Sequence, residues 1–349
     1  MSKRFPILFI LAMAAASCLA QEQEAAPNYG ETGPKPVPIL SGYAAFVPTW
    51  EAGDPTLVSI ISPVVLVPVS SNVVFESRAA FEGDFQRRNG NAGDFTGAID
   101  KSIDYMQLDF LAGRYLTITA GRFLTPFNIF NERLYPNWIR DTQTDPLIFP
   151  IGTGSDDGFM VRGAIAANHQ VTLNYTAYFS TLVSANGWES ERHAGLRIGM
   201  FLPRRRVELG VSVQHQLQDA HAGRYGAYFE WQPMRVPFEL RSEGVYSHEE
   251  GSGMWAEAAY RLSDFHLPTL RRMQLVARTQ FFNVGTLPFS NPGLPLLNTR
   301  RTEGGINYYL SDGWKALASY GKTFTVDEQA NIWTVGMAYR FVLPLGRGQ

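Results

Sequence analysis

"VELGVSVQHQ", residues 207–216, decides the fold class. Val207, Leu209, Val211 and Val213 alternate with Glu208, Gly210, Ser212 and Gln214, so a period of two puts every aliphatic residue on one face. "VTLNYTAYF" (171–179) and "MQLVARTQF" (273–281) repeat the pattern, and helical periodicity is nearly absent elsewhere. The chain is therefore all-β. A soluble sandwich would turn these apolar faces inward, whereas a membrane barrel turns them toward lipid. Strand length separates the two. The candidates run close to the 9 to 11 residues that cross a bilayer, roughly sixteen of them, and even parity is what a single-chain bacterial barrel requires.

The connections sort into two classes. "SSN", "AGRYL", "ANHQ", "LPRRR", "QPMRV" and "SDGW" read as short turns, with a longer one at "SDFHLPTLRR". Between them lie "EAGDP", "QRRNGNAGDFTGAID", "LVSANGWES", "QDAHAG", "HEEGSG", "GTLPFSNPGLPLLN" and "TVDEQ", read as longer loops. Alternating short turns and long loops are the habit of outer-membrane barrels. The longest irregular segment, within "AGRFLTPFNIFNERLYPNWIRDTQTDPLIFPIGTGSDDG" (120–158), then joins the fifth and sixth strands as the third outer loop. Loops of that length are usually functional.

The ends have their own character. "MSKRFPILFILAMAAASCLAQEQE" has a basic start, an apolar run and small residues before Gln21, the pattern of a signal peptide over residues 1–20. Cys18, the single cysteine, is lost with it, or is the acceptor of a lipoprotein signal. Residues 21–38 form a polar, Pro-rich lead-in, residues 39–343 the barrel and 344–349 a tail. A formal net charge of −2 gives no basic surplus for nucleic acid.

Locally, "AGRFLTPFNIF" resembles the Gly-Arg-Phe-x-x-Pro-Phe segment of phosphate-selective-type porins, and the plan from residue 42 to 341 resembles general porins of Gram-negative bacteria. The last strand, "NIWTVGMAYRF", is similar to the aromatic-ended strand by which such barrels are recognised for insertion, although "VLPLGRGQ" follows it. The resemblance implies a sixteen-stranded transmembrane antiparallel barrel whose third loop folds toward the lumen. It further implies an outer-membrane location, contact with lipid and lipopolysaccharide, a homotrimer, and passive passage of small hydrophilic solutes. A closed structural or adhesion barrel, with the third loop as plug or binding surface, is the alternative.

A barrel of this size is too wide for its wall side chains to fill, so the polar faces are expected to line an aqueous channel. The predicted lining includes Arg78, Arg162, Arg197, Arg241, Arg278 and Arg301, with glutamates on the same faces. Arginine far outnumbers lysine. Unpaired, these guanidinium groups would favour anions; paired with the wall glutamates, they would brace the barrel and leave selectivity weak. The constriction set expected of the third loop is Arg122, Glu132, Arg133, Arg140, Asp141 and Asp145, held by aromatics and by Pro126, Pro136, Pro146 and Pro150. Tyr43, Trp50, Trp231, Trp255, Tyr260, Tyr309, Trp314 and Tyr320 are read as interfacial girdles.

No enzyme, metal or cofactor is expected. The six histidines are scattered without metal-ligand spacing, and "GTGSDDG" lacks the lysine and helix of a phosphate loop. Ser212 and His215, the nearest approach to a nucleophile and base, stand three apart on a strand and so face opposite ways.

Overall fold

The computed structural model describes residues 37–87, 95–168, 170–182, 192–218, 221–287, 291 and 293–345. The expected signal peptide, most of the lead-in and residues 346–349 of the tail lie outside these residues, while Pro344, expected in the tail, ends β16. Sixteen antiparallel strands follow one another in chain order and close into a barrel, β1 pairing with β16 from Ile39↔Pro344 to Glu51↔Ile332. They are β1 (Ile39–Glu51), β2 (Asp54–Pro68), β3 (Val73–Gln86), β4 (Thr96–Leu111), β5 (Thr117–Leu124), β6 (Ser155–Asn168), β7 (Val171–Leu182) and β8 (His193–Leu202) in the first half. The second half comprises β9 (Val207–Gln216), β10 (Gly223–Trp231), β11 (Phe238–Ser247), β12 (Gly251–Arg261), β13 (Met273–Val284), β14 (Thr299–Tyr309), β15 (Trp314–Phe324) and β16 (Gln329–Pro344). Closure gives every strand a hydrogen-bonded neighbour on both sides, although β4 meets the short β5 only over Met106–Leu111.

Alternation sets the two faces as the sequence reading expects. Leu209, Val211 and Val213 are exposed on the outside of β9 while Ser212 and Gln214 are buried. On β13, Leu275 and Phe281 face out and Val276, Arg278 and Gln280 face in. No described helix is long and apolar enough to cross a membrane, and the strands supply the apolar outer surface.

Prolines inside β1 and β2 sit where they take no ladder bond. Pro63 falls in a gap of the β2–β3 pairing, between Ile61↔Phe81 and Val64↔Arg78, so its missing N–H leaves no partner unsatisfied. The Ser62 hydroxyl fills part of that gap by donating to the Ala79 carbonyl at 3.1 Å. Pro48 uses the same device on the other side, where β1–β16 pairing skips from Phe46↔Met337 to Thr49↔Thr334.

Two of the connections read as long loops are tight. β1 turns into β2 through residues 52–53 and β11 into β12 through 248–250, because the polar residues flanking each turn extend the ladders instead of looping out. The aromatic reading also needs correction. Tyr43 and Trp255 are buried, and Tyr309 bonds to Gln274, a buried residue of β13; all three face inward and belong to the interior rather than to a girdle. Trp50, Trp314 and Tyr320 are exposed on the outside.

Candidate pore and its third loop

The segment between β5 and β6, residues 125–154, is tied at its neck before it reaches anything else. The Thr125 N–H bonds the Gly154 carbonyl at 3.0 Å, and the Asn131 amide donates to the carbonyls of Thr125 and Gly154 at 2.9 and 2.8 Å. Thr125 Oγ1 donates to Asp156 at 3.0 Å. Gly152 completes the neck at φ +72°, where a Cβ would meet the Phe127 ring at 2.7 Å.

Beyond the neck, the chain makes a short π-helical turn at Phe130–Leu134 whose entrance is held by the barrel wall. Backbone N–H groups of Ile129 and Phe130 both donate to Glu243 Oε1 on β11 at 2.6 Å, and Trp255 Nε1 on β12 donates to the other carboxylate oxygen at 2.9 Å. Asn128 N–H donates to Ser212 on β9 at 3.0 Å, and Arg197 on β8 donates to the Asn128 carbonyl at 2.6 Å. The backbone donors at the start of this turn thus find acceptors on two strands, β9 and β11, while Arg197 of β8 donates in return.

The far side of the loop is held as firmly. Lys315 on β15, fully buried, donates from Nζ to the carbonyls of Trp138 at 2.7 Å and Arg140 at 2.6 Å. Asn307 on β14 donates to the Asp141 carbonyl at 3.0 Å, Thr142 donates to Glu257 on β12 at 2.7 Å, and Thr144 donates to Glu303 on β14 at 2.6 Å. Arg278 Nη1 on β13 donates to the Thr144 carbonyl at 2.7 Å. The segment therefore lies against the inward faces of strands from β8 round to β15.

An apolar core forms inside this ring of polar bonds. Phe127, Phe130, Leu134, Leu147, Ile148 and Ile151 pack on Val245, Trp255 and Phe282 from the wall. Phe130 meets Phe149 and Trp255 edge-on at 5.2 and 6.0 Å between centroids. On the opposite side Trp138 packs on Tyr43, Ala45, Val47, Ile60, Ala80 and Ala338, and Tyr135 sits 4.9 Å from the Arg78 guanidinium. The wall is thus partly apolar where the sequence reading expects only polar lining.

Each predicted lining arginine has a carboxylate partner. Arg78 meets Asp104 at 2.8 Å, Arg162 meets Asp109 at 3.2 Å, Arg197 meets Glu132 at 2.5 Å, Arg278 meets Glu257 at 2.7 Å and Arg301 meets Glu303 at 3.9 Å. Arg241 contacts Asp141 at 3.4 Å and also pairs with Glu239. Of the two alternatives for these residues, pairing describes the geometry.

Of the six residues expected on the loop, five are there. Arg133 bridges Glu208 of β9 at 2.7 Å and Glu230 of β10 at 3.2 Å, and Arg140 pairs with Asp145 at 2.6 Å. Glu132 and Asp141 take Arg197 and Arg241 as above. Arg122 is the exception: it lies within β5 and pairs with Asp157 of β6 at 3.2 Å, because the strand continues to Leu124. Three loop groups have displaced acidities. Against the opposing effect of burial, the Glu208 hydrogen bond and charge, with Glu230, hold the Arg133 guanidinium above its ordinary value. Burial, reinforced by the Glu257 charge and opposed by Arg241, pushes the Asp141 carboxyl up to about 7, and burial pushes the Tyr135 phenol up to about 12.

Sequence reasoning passed over Glu243, Lys315 and Gln280, whose side-chain oxygen accepts the Leu147 N–H at 2.9 Å. The signal was available for Glu243. It follows Glu239 and Arg241 at the same two-residue spacing, and so shares their inward face.

No protein-family model and no curated protein matches the sequence. Solved structures do resemble the fold. Salmonella typhi OmpF, in complex with daunomycin, superposes with a TM-score of 0.61 at 9% identity, covering 87% of this chain and 97% of that one. An anion-selective porin from Comamonas acidovorans gives 0.57 at 10% identity, covering 87% and 99%. The low-pH structure of Pseudomonas putida OprB gives 0.57 at 7%, covering 87% and 93%. At these identities the likeness establishes architecture: the chain has the sixteen-stranded closed barrel of porins.

Proposed function

We propose that the protein is an outer-membrane channel through which small hydrophilic solutes diffuse passively, with residues 125–154 as its constriction. The observation that carries this reading is the loop's fixation: backbone bonds to Glu243 at one side and to Lys315 at the other hold its charges at set positions within the barrel. Fixed charges at a narrow point govern which ions pass. Because the lining arginines are paired, the reading includes weak selectivity rather than the anion preference that free guanidinium groups would give. Phosphate selectivity is left out, since Arg122 of the Gly-Arg-Phe segment is engaged by Asp157. A homotrimer and contact with lipopolysaccharide belong to the same proposal. Purified protein added to a planar lipid bilayer should give discrete conductance steps; a folded barrel that inserts without steps overturns the channel.

That second outcome describes the other reading, a barrel plugged by its third loop for a structural or adhesive role. Contacts of the loop with β1 and β3 as well as β8 to β15 favour it, because they reach nearly around the wall. Bilayer insertion without conductance, restored to conductance by removing 130–150, would identify the plug.

A further inference from the structure

In an up-and-down barrel every second connection emerges at the same end, so the turns after β2, β4, β6, β8, β10, β12 and β14 share one rim with the start of β1 and the end of β16. Charge on that rim is lopsided. The described residues of these turns carry Arg114, Arg204, Arg205, Arg206, Arg235, Arg271 and Arg272, against Asp264 and Asp312 alone. All seven arginines are exposed, and no ion pair with a carboxylate is formed by any of them among the described residues. Their environment differs sharply from the lumen, where arginines are paired.

Apolar side chains are interleaved with these charges. Tyr115 follows Arg114, Met234 and Val236 flank Arg235, and Phe265 and Leu267 precede Arg271 and Arg272. Met234 is 69% exposed and Leu267 62% exposed, at turns where polar residues would suit water better. Backbone contacts aim part of the cluster: Arg271 Nε donates to the Phe265 carbonyl at 2.7 Å and Arg272 Nη1 to the Leu310 carbonyl at 3.2 Å, leaving donors on each guanidinium for a ligand. A guanidinium fork matches phosphate oxygens, and an adjacent apolar group suits the boundary between headgroups and acyl chains.

We propose that this rim is a collar that binds the headgroups of anionic phospholipids in the leaflet at the short-turn end, its arginines on the phosphates and its apolar residues in the acyl boundary. This rests on the membrane reading above. A polyanion in bulk water would explain the arginines but not Met234 and Leu267. An anionic surface attracts each nearby basic residue, and salt weakens that attraction.

The test uses the full chain reconstituted in phosphatidylcholine bilayers with trace spin-labelled phosphatidylglycerol or spin-labelled phosphatidylcholine. Spin resonance reads the motionally restricted share of each label. Phosphatidylglycerol should be preferred by roughly three- to five-fold at low salt, the preference should shrink in concentrated salt, and it should fall near unity in R204Q/R205Q/R206Q/R235Q/R271Q/R272Q. Equal restriction of both lipids in the unaltered protein overturns the collar while leaving the barrel in the membrane. No restricted lipid of any kind would overturn the membrane reading itself. Loss of the preference on adding millimolar inorganic phosphate would mark a soluble-anion site, and arginine-dependent sedimentation with purified peptidoglycan, with both lipids equal, would assign the rim to the wall; either overturns the proposal. If the six-fold variant does not fold, the salt response of the unaltered protein and of R271Q/R272Q decides, and a preference indifferent to salt overturns it.

Discussion

Glu243 Oε1 accepts the Ile129 N–H at 2.6 Å, joining the inward face of β11 to the entrance of the third loop's π-helical turn. The same oxygen takes the Phe130 N–H, and the carboxylate is closed off by the Trp255 indole, so water has no access to replace it. Glu243→Ala would leave three buried donors without an acceptor, at a cost of about 2–5 kcal/mol. Glu243→Gln keeps one acceptor and the shape, and should cost about half as much because charge-assisted bonds are roughly twice as strong as neutral ones. Urea unfolding in detergent ranks the two variants, and limited proteolysis reads the loop: cleavage within 125–154 should appear in the alanine variant first. Equal stability of all three proteins would remove Glu243 from the role of anchor.

Asp145 is the most accessible acid of the constriction set, its side chain half exposed beside Arg140. A unit charge roughly 10 Å from a passing ion in water changes its energy by about 0.4 kcal/mol, a factor of about two, in opposite directions for a cation and an anion. Asp145→Asn should therefore shift the anion-to-cation preference toward anions by about four-fold, and Asp145→Lys by roughly the square of that. Reversal potentials under a salt gradient across a planar bilayer measure the shift. No movement in either variant would place Asp145 away from the ion path.

How much of this was legible follows from what each signal depends on. Strand number, order and facing depend on two-residue alternation, a local property, and Leu209, Val211 and Val213 declare it without reference to the rest of the chain. Pairing of Arg78 with Asp104 depends on a bulge that slips β4 against β3 between Arg78 and Ala79, and no local pattern announces that slip. Trp255 was misplaced for a related reason. Its alternation permits either face to a reader who expects aromatics at membrane interfaces, and only the apolar loop core explains why an indole is needed inside. Lys315 is the clearest case: its three carbonyl acceptors come from residues 137, 138 and 140, far away in sequence.

Asp141 gives the loop a dependence on pH. Its folded-state acidity, pushed up to about 7, stands above the ordinary carboxylate value, so between roughly pH 4 and 7 the folded protein keeps a proton that the unfolded chain has lost. Stability contributed by this group is therefore greatest in acid and declines as pH rises through that window, flattening above 7. Asp141→Asn removes the titration. The melting temperature of the unaltered protein relative to this variant should fall between pH 4 and 7 and stay level beyond. A difference that is constant over that range would mean Asp141 titrates like an exposed carboxyl.

Phe130 tests whether the loop's apolar core is what keeps the constriction in shape. The ring is almost fully buried, edge-on to Phe149 from the loop and to Trp255 from the wall, so it joins the two. Phe130→Ala removes that bridge and should cost about 3–5 kcal/mol, the usual range for a buried phenylalanine. The ladder bonds of the sixteen strands do not involve this residue, so the barrel should still show heat-modifiable migration. Loss should fall on the loop alone, as larger and noisier conductance. Phe281→Ala is the control: it deletes the same ring from the outer face of β13, where the side chain is 40% exposed and stands outside the loop's apolar core. If the two variants alter conductance equally, the loop core has no special hold on the pore; if only Phe130→Ala does, the constriction is maintained by packing inside the barrel.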